Sequence, residues 1–161
     1  MHRRTLLAAL AIAGSGADRA FASGPIQVVA TFSILADMAA VVGGEDVSVR
    51  SLVPADADAH VWEPKQADLR ALQGAQVLIE NGLGLEEWMT RMPRAAGFKG
   101  QLITASQNVA PSTILEDGRR VVDPHAWQDP RNGVLYVRVI TDALAAAAPD
   151  REAVIHARSA A

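Results

Sequence analysis

Short apolar runs rich in β-branched residues alternate along the chain with stretches in which apolar residues recur at helical spacing. The first run is residues 26–32 (I-Q-V-V-A-T-F), and the first helical stretch is residues 34–42, which ends at a Gly-Gly pair. Further strands are predicted at 47–53, 75–80 and 101–105, and further helices at 64–73, 85–96 and 132–147, of which the second is interrupted near Pro93. Because a helix follows each strand, the pattern predicts an α/β fold whose four-stranded, mostly parallel sheet is sandwiched by helices.

Two regions fall outside this alternation. Residues 106–122 have no regular periodicity, and Asp117-Gly118 marks a hairpin-like turn within them. Pro149-Asp150 ends the helix at 132–147, and residues 151–161 begin another helix. The main domain is therefore expected to cover residues 23–148.

The first 22 residues have the pattern of a secretory signal peptide. Arg3 and Arg4 precede an apolar run at 6–13, and Ala20-Phe21-Ala22 forms a small-x-small cleavage site. The apolar run is too short to span a bilayer, so we expect cleavage after about Ala22 rather than an N-terminal membrane anchor. Arg3-Arg4 also leaves a twin-arginine signal open as an alternative.

Composition narrows the class of protein and its location. Half of the 161 residues are hydrophobic and a fifth are charged, which is typical of a globular domain, and without a basic run we expect no nucleic-acid binding. Removing the leader deletes three Arg and one Asp and changes the formal net charge from −3 to −5. The chain has no cysteine for a disulfide, a thiolate ligand or a lipid. We therefore expect a periplasmic protein without a stable membrane anchor.

A pattern of the form D-x-H-x-W followed by a proline occurs twice, around His60 and around His125. The chain has only four histidines and three tryptophans, so the repeat indicates one site in two halves. Neutral imidazole is a common ligand of zinc and other transition metals, and a carboxylate two residues earlier can hold its second ring nitrogen. The following tryptophan can shield the site from water. We therefore predict His60 and His125 as metal ligands.

The two loops resemble the metal-ligand loops of the zinc- and manganese-binding solute-binding proteins of bacterial ABC importers, a family that also contains lipoprotein adhesins. The usual loops of that family are D-P-H-x-x-E-P and D-P-H-x-W-x-D-P. Residues 60–64 (H-V-W-E-P) match the last part of the first loop, and Ala59 stands where that loop usually has proline. Residues 123–130 (D-P-H-A-W-Q-D-P) match the second loop. The resemblance also includes the N-G-L-G-L-E run at 81–86 and Trp88, and it extends from about Ile26 to the end of the chain.

The resemblance implies a fold, a cargo and a partner. The chain would be the first lobe of a two-lobed metal receptor, with residues 149–161 as the start of a truncated connector helix between the lobes. The second lobe would supply a third ligand, His or Glu, and a fourth, Asp. The cargo would be Zn²⁺ or Mn²⁺, the partner an ABC transporter permease, and the protein would not be an enzyme.

One enzymatic alternative stays open, a metal-dependent hydrolase in which the same two histidines hold a catalytic ion. Such an enzyme needs a third protein ligand and a general base, and neither H-E-x-x-H nor H-x-x-E-H occurs. The sequence also lacks a G-x-S-x-G elbow. His156 is expected to be a solvated histidine on a helix face. Glu80 is expected at the end of a strand, and Glu86 and Glu87 in the first turn of a helix, where the helix dipole favours acidic residues.

Overall fold

The computed structural model describes residues 24–160; the predicted signal peptide and Ala161 lie outside the described residues. The central sheet has four strands in the order β2-β1-β3-β4, and every neighbouring pair is parallel. Its strands are β1 (Ile26–Phe32), β2 (Val47–Val53), β3 (Val77–Glu80) and β4 (Gln101–Thr104). The predicted α/β sheet is confirmed.

Helices cover both faces of this sheet. They are α1 (Ser33–Gly43), α2 (Gln66–Gly74), α3 (Met92–Ala96), α4 (Pro130–Ala147) and α5 (Glu152–Ser159). One apolar core lies between the sheet and helices α1, α4 and α5, and a second lies between the sheet and helices α2 and α3. Val28 and Val29 face these two cores in turn, so β1 is apolar at nearly every position, as expected of a parallel strand buried on both sides.

The predicted helices differ from the observed ones mainly at proline and at exposed apolar positions. The predicted helix 85–96 is interrupted near Pro93 as expected: a 3₁₀ turn at Glu87–Thr90 precedes α3, because proline is tolerated in the first turn of a helix but not in its interior. The predicted start at Pro64 is two residues early, since α2 begins at Gln66. Val41 on α1 and Val134 on α4 fit the apolar spacing but are 66% and 53% exposed.

Residues 106–122 contain a hairpin that the sequence pattern did not predict. Strands β5 (Thr113–Glu116) and β6 (Arg119–Val122) pair antiparallel around Asp117-Gly118, which are both left-handed, with φ of 48° and 75°. The predicted turn is therefore confirmed. The two strands escaped prediction because nearly all of their residues are exposed, so no buried face imposes an alternating pattern.

Helix α5 packs on the domain through one apolar and several charged contacts. Ile155 is fully buried against the core of α1 and α4. Nη1 of Arg158 donates to the Gly43 carbonyl at 2.6 Å and to Oδ2 of Asp46 at 2.7 Å, which ties α5 to the C-terminal end of α1. None of the helices in the described part of the chain is long and apolar enough to cross a bilayer.

Candidate metal centre

The two repeated loops meet at the carboxyl edge of the sheet. His60 lies in the loop after β2, and His125 lies between β6 and α4, one residue before a 3₁₀ turn at Ala126–Gln128. Loops at this edge form the usual binding crevice of an open parallel sheet. The fold therefore brings both predicted loops to the place where such sheets bind ligands.

The imidazoles of His60 and His125, 65 positions apart in sequence, are in contact. Their Nε2 atoms are 3.2 Å apart and their ring centroids 5.2 Å apart. A tetrahedral zinc ion with nitrogen ligands at about 2.0 to 2.1 Å holds two of those nitrogens about 3.3 Å apart. The observed separation is close to that value, and it is also the distance of a hydrogen bond in which one ring donates to the other. His60 is exposed, and the side chain of His125 is 35% exposed, so one side of the pair is open to solvent.

Asp123 holds the ring of His125. Its Oδ1 accepts the backbone N–H of His125 at 3.0 Å and lies 2.8 Å from Nδ1 of the ring. These two contacts, the backbone one first, keep the pKa of Asp123 below its usual 3.8. A neutral His125 that donates its Nδ1 hydrogen to Asp123 presents the lone pair of Nε2 to the site, which is the form needed to bind a metal ion.

The first loop repeats the backbone contact but lacks the ring contact. Oδ1 of Asp58 accepts the backbone N–H of His60 at 2.8 Å, and among the described residues the only hydrogen-bonding contact of the His60 ring is with His125. The predicted role of the preceding carboxylate is therefore met at Asp123 and not at Asp58. His60 depends on other contacts for its orientation.

The two tryptophans of the repeat also differ. The ring of Trp127 lies 5.4 Å from that of His125 and 4.8 Å from that of Phe32, so it covers the inner side of the second loop as predicted. Trp62 packs against the same core as Trp127, and the ammonium of Lys65 lies 5.1 Å from the Trp62 ring. The indole N–H of Trp62 is buried and has no acceptor among the described residues. Among the described residues, the histidine of the second loop contacts the tryptophan of its own loop, and the histidine of the first loop does not.

A buried polar cluster lies beneath the histidine loops, and its centre is Glu86, which is 6% exposed. Its Oε1 accepts the Thr31 hydroxyl at 2.6 Å and the Asn81 backbone N–H at 2.7 Å, and its Oε2 accepts the Gly82 N–H at 3.2 Å. Burial raises the pKa of Glu86 above its usual 4.5, although the three donors oppose the shift. Glu86 was predicted only to lie in the first turn of a helix, and its place in the N-G-L-G-L-E run was the only signal of a role at the site.

Asn81 connects this cluster to the second histidine loop. Its Oδ1 accepts the Tyr136 hydroxyl at 2.6 Å, and its Nδ2 donates to the carbonyl of Pro124 at 2.9 Å. Burial, followed by the negative charge of Glu86, raises the pKa of Tyr136 to about 12, so its hydroxyl remains a donor at neutral pH. Neither Asn81 nor Tyr136 was predicted to have a role at the site.

Within residues 24–160, no group of three or more His, Cys, Asp or Glu side chains is arranged to hold a metal ion. An open cleft of about 690 Å³ lies beside the histidine pair, between residues 83–87 and the β5–β6 hairpin. Among the described residues, the two imidazoles are therefore not joined by a third side chain of this kind.

Residues 28–161 match the family model described as zinc-uptake complex component A, periplasmic. The chain belongs to this family. The match covers the whole described domain except its first four residues, so it includes both histidine loops and the buried cluster between them. The resemblance inferred from the two loops is thus confirmed, and nothing in the comparisons supports the hydrolase alternative.

Two relatives of the chain have names that refer to metal. The manganese-binding lipoprotein MntA of Halalkalibacterium halodurans is 36% identical over 149 residues, which cover 90% of this chain and 48% of that protein. The metal ABC transporter substrate-binding lipoprotein FimA of Streptococcus parasanguinis is 32% identical over 135 residues, which cover 80% and 44%. The chain therefore spans about half the length of these relatives. Both are named lipoproteins, which disagrees with the expected absence of a membrane anchor.

Solved structures show the same lobe within longer chains. A Mn-bound periplasmic metal binding protein from Candidatus Liberibacter asiaticus superposes with a TM-score of 0.75 at 27% identity, over 83% of this chain and 50% of that one. Zn(II)-bound AdcA from Streptococcus pneumoniae superposes with a TM-score of 0.72 at 25% identity, over 85% and 29%. The predicted fold agrees with both.

Proposed function

We propose that the chain is the first, metal-binding lobe of a periplasmic substrate-binding protein that delivers zinc or manganese to an ABC importer. The observation that carries the proposal is the 3.2 Å separation of the two Nε2 atoms at the carboxyl edge of the sheet. His60 and His125 are the proposed ligands, the metal ion is cargo, and a membrane permease is the proposed partner. Export to the periplasm is proposed from the leader pattern in residues 1–22.

An open two-histidine pair suits a carrier better than a hydrolase. A catalytic zinc site normally holds its ion with three protein ligands and keeps one position for water or substrate. The described residues place no such third ligand beside His60 and His125. A carrier must also release its ion, which favours ligands divided between two bodies that can separate. The length of the relatives, about twice that of this chain, agrees with a second body of that kind.

The ligand type favours zinc over manganese for the isolated lobe. Imidazole nitrogens suit zinc, copper and nickel, whereas manganese prefers oxygen ligands and stands low in the Irving–Williams order. In the resembled family the oxygen ligands come from the second lobe. We therefore propose that this lobe contributes affinity for the cargo and that the other lobe decides between the two metals.

Calorimetry with the purified domain from residue 23 onwards is expected to show weak zinc binding. Two imidazoles supply half of a tetrahedral shell, so we expect a Kd in the micromolar to millimolar range, which corresponds to about 4 to 8 kcal/mol. Affinity should fall as the solution is acidified, because protons compete with the metal ion for the imidazole nitrogens. Absence of zinc binding at neutral pH, or turnover of phosphate or peptide esters by the zinc-loaded domain, would refute the carrier proposal.

The two aspartates of the repeat should differ in their effect on zinc affinity. Asp123→Asn removes the negative charge beside Nδ1 of His125, and loss of such a partner typically weakens metal binding by about tenfold or more. Asp58→Asn keeps an oxygen that can accept the backbone N–H of His60, and Asp58 does not contact the ring. We expect Asp58→Asn to change the Kd by less than about twofold, a small part of the effect that a ring partner has. Equal losses in the two variants, measured by zinc titration, would contradict this asymmetry.

A further inference from the structure

One segment, residues 81–88, donates a side-chain hydrogen bond to each of the two histidine loops. Nε1 of Trp88 donates to the carbonyl of Ala59 at 2.8 Å, and Nδ2 of Asn81 donates to the carbonyl of Pro124 at 2.9 Å. Ala59 immediately precedes His60, and Pro124 immediately precedes His125. The two ends of the segment therefore contact equivalent positions in the two halves of the site.

We propose that the 81–88 segment sets the separation of the two imidazoles, with Asn81 and Trp88 as positioning residues that touch neither the ion nor the rings. The proposal rests on the proposed function, since a fixed separation matters only if His60 and His125 share an ion. It also explains how His60, whose ring lacks the carboxylate contact of His125, is kept in place.

The Asn81 end of the segment is held in a single orientation. Asn81 is fully buried, its Oδ1 accepts the Tyr136 hydroxyl, and its Nδ2 faces the carbonyl oxygens of Pro124 and Gly82, both at 2.9 Å. Rotating the amide by half a turn would place its oxygen against two carbonyl oxygens. The donor toward Pro124 is therefore fixed by the groups around it.

The middle of the segment is a compact turn anchored to the sheet. Gly82, Leu83 and Gly84 all have positive φ, at 82°, 56° and 83°, so the chain folds back tightly between its two ends. Glu86 ties the turn together by accepting the N–H groups of residues 81 and 82, and the Thr31 hydroxyl of β1 connects it to the sheet. Leu85 is 1% exposed in the core. Asn81 and Trp88 are thus the ends of one braced unit.

The 81–88 segment acts on the site through the two carbonyl groups that it contacts, those of Ala59 and Pro124. Each belongs to the peptide group that leads directly into a histidine, so a shift of that peptide changes the direction of the following side chain. Metal affinity is sensitive to such changes, since groups behind the ligands typically alter it by about 10- to 100-fold. A segment that fixes both peptides at once fixes the backbone from which both imidazoles extend, and so limits the distances that the two Nε2 atoms can adopt.

Two tryptophan variants of the domain from residue 23 onwards test the proposal. Trp88→Phe removes the N–H that binds Ala59 and keeps an aromatic ring in place. Trp62→Phe is the matched control, because it makes the same change two residues from His60, where the N–H has no acceptor among the described residues. We expect Trp88→Phe to weaken zinc binding by about tenfold and to shift the visible absorption bands of the cobalt(II)-loaded protein, and Trp62→Phe to do neither.

Ring nitrogen NMR signals of the metal-free proteins provide a readout that does not depend on the ion. Trp88→Phe should shift the signals of His60, and Asn81→Asp, which replaces the donor toward Pro124 by an acceptor, should shift those of His125. Parent-like zinc affinity, cobalt spectrum and His60 signals in folded Trp88→Phe would overturn the proposal. If the parent itself binds no zinc, the proposed function fails, and the ring signals still decide whether the segment positions the histidines.

Discussion

Replacing His125 with alanine is expected to abolish measurable zinc binding by the domain, a loss of at least about a hundredfold in affinity. The variant leaves a single exposed imidazole, because the described residues hold no third ligand near the pair. His60→Ala should have the same consequence for the same reason. Zinc titration by calorimetry or by competition with a chromophoric chelator measures the loss.

His156→Ala is the matched control for both histidine variants. Its side chain is 46% exposed on α5, as sequence analysis predicted for a solvated helix-face histidine, and it lies 4.0 Å from Glu152. Removing it should leave the zinc affinity unchanged. Nanomolar binding that survives His60→Ala would place the ion elsewhere and would refute the two-histidine site.

Replacing Glu86 with alanine is expected to lower the free energy of unfolding by about 3 kcal/mol or more, since a buried donor left without a partner costs about 1 to 3 kcal/mol. The change strips acceptors from three donors, the Thr31 hydroxyl and the N–H groups of Asn81 and Gly82. Urea unfolding followed by tryptophan fluorescence gives the value. Glu87→Ala is the control, because Glu87 is the neighbouring exposed carboxylate and its loss should change stability by about 0.5 kcal/mol or less.

The raised pKa of Glu86 gives this stability a definite pH dependence. Since burial favours the neutral carboxyl, the folded protein takes up this proton at a higher pH than the unfolded chain does. The contribution of Glu86 is therefore greatest below its usual pKa of 4.5 and declines as the pH rises through the raised folded value. The unfolding free energy of the parent minus that of Glu86→Gln should therefore decrease as the pH is raised from acid to neutral. A difference that increases with pH would contradict this expectation.

The central strands β1 and β3 were predictable because burial on both faces leaves them few polar positions, and the edge strand β2 because exposed polar residues alternate with less exposed apolar ones. The predicted spans of β1 and β2 match the observed residues, and the other two strands lie within their predicted spans. Helical spacing was a weaker guide to burial. Val41 and Val134 lie at the spacing of a buried helix face, yet both are exposed because no neighbouring element covers them. Whether such a position is covered depends on how helices far apart in sequence pack together.

The histidine pair was predictable because its pattern occurs twice, but the differences between its halves were not. Asp58 and Asp123 occupy the same place in the repeat, and only the observed loop conformations show that one of them contacts its ring. The contacts of Asn81 and Trp88 with the two loops join residues 43 and 29 positions apart. No local pattern encodes such pairings, because they depend on which strand ends become neighbours.

The strand order β2-β1-β3-β4 also bears on how fast the chain reaches its native state. Each of the three pairings is parallel, so the chain between the two strands must form a crossover before the strands can hydrogen-bond. Closing that long loop costs conformational entropy. In the described part of the chain the only antiparallel pairing, closed by a short turn, is the exposed β5–β6 hairpin, which lies outside the core. A topology with so few local pairings folds slowly, and the nascent polypeptide therefore stays unfolded longer than a helical bundle of equal size.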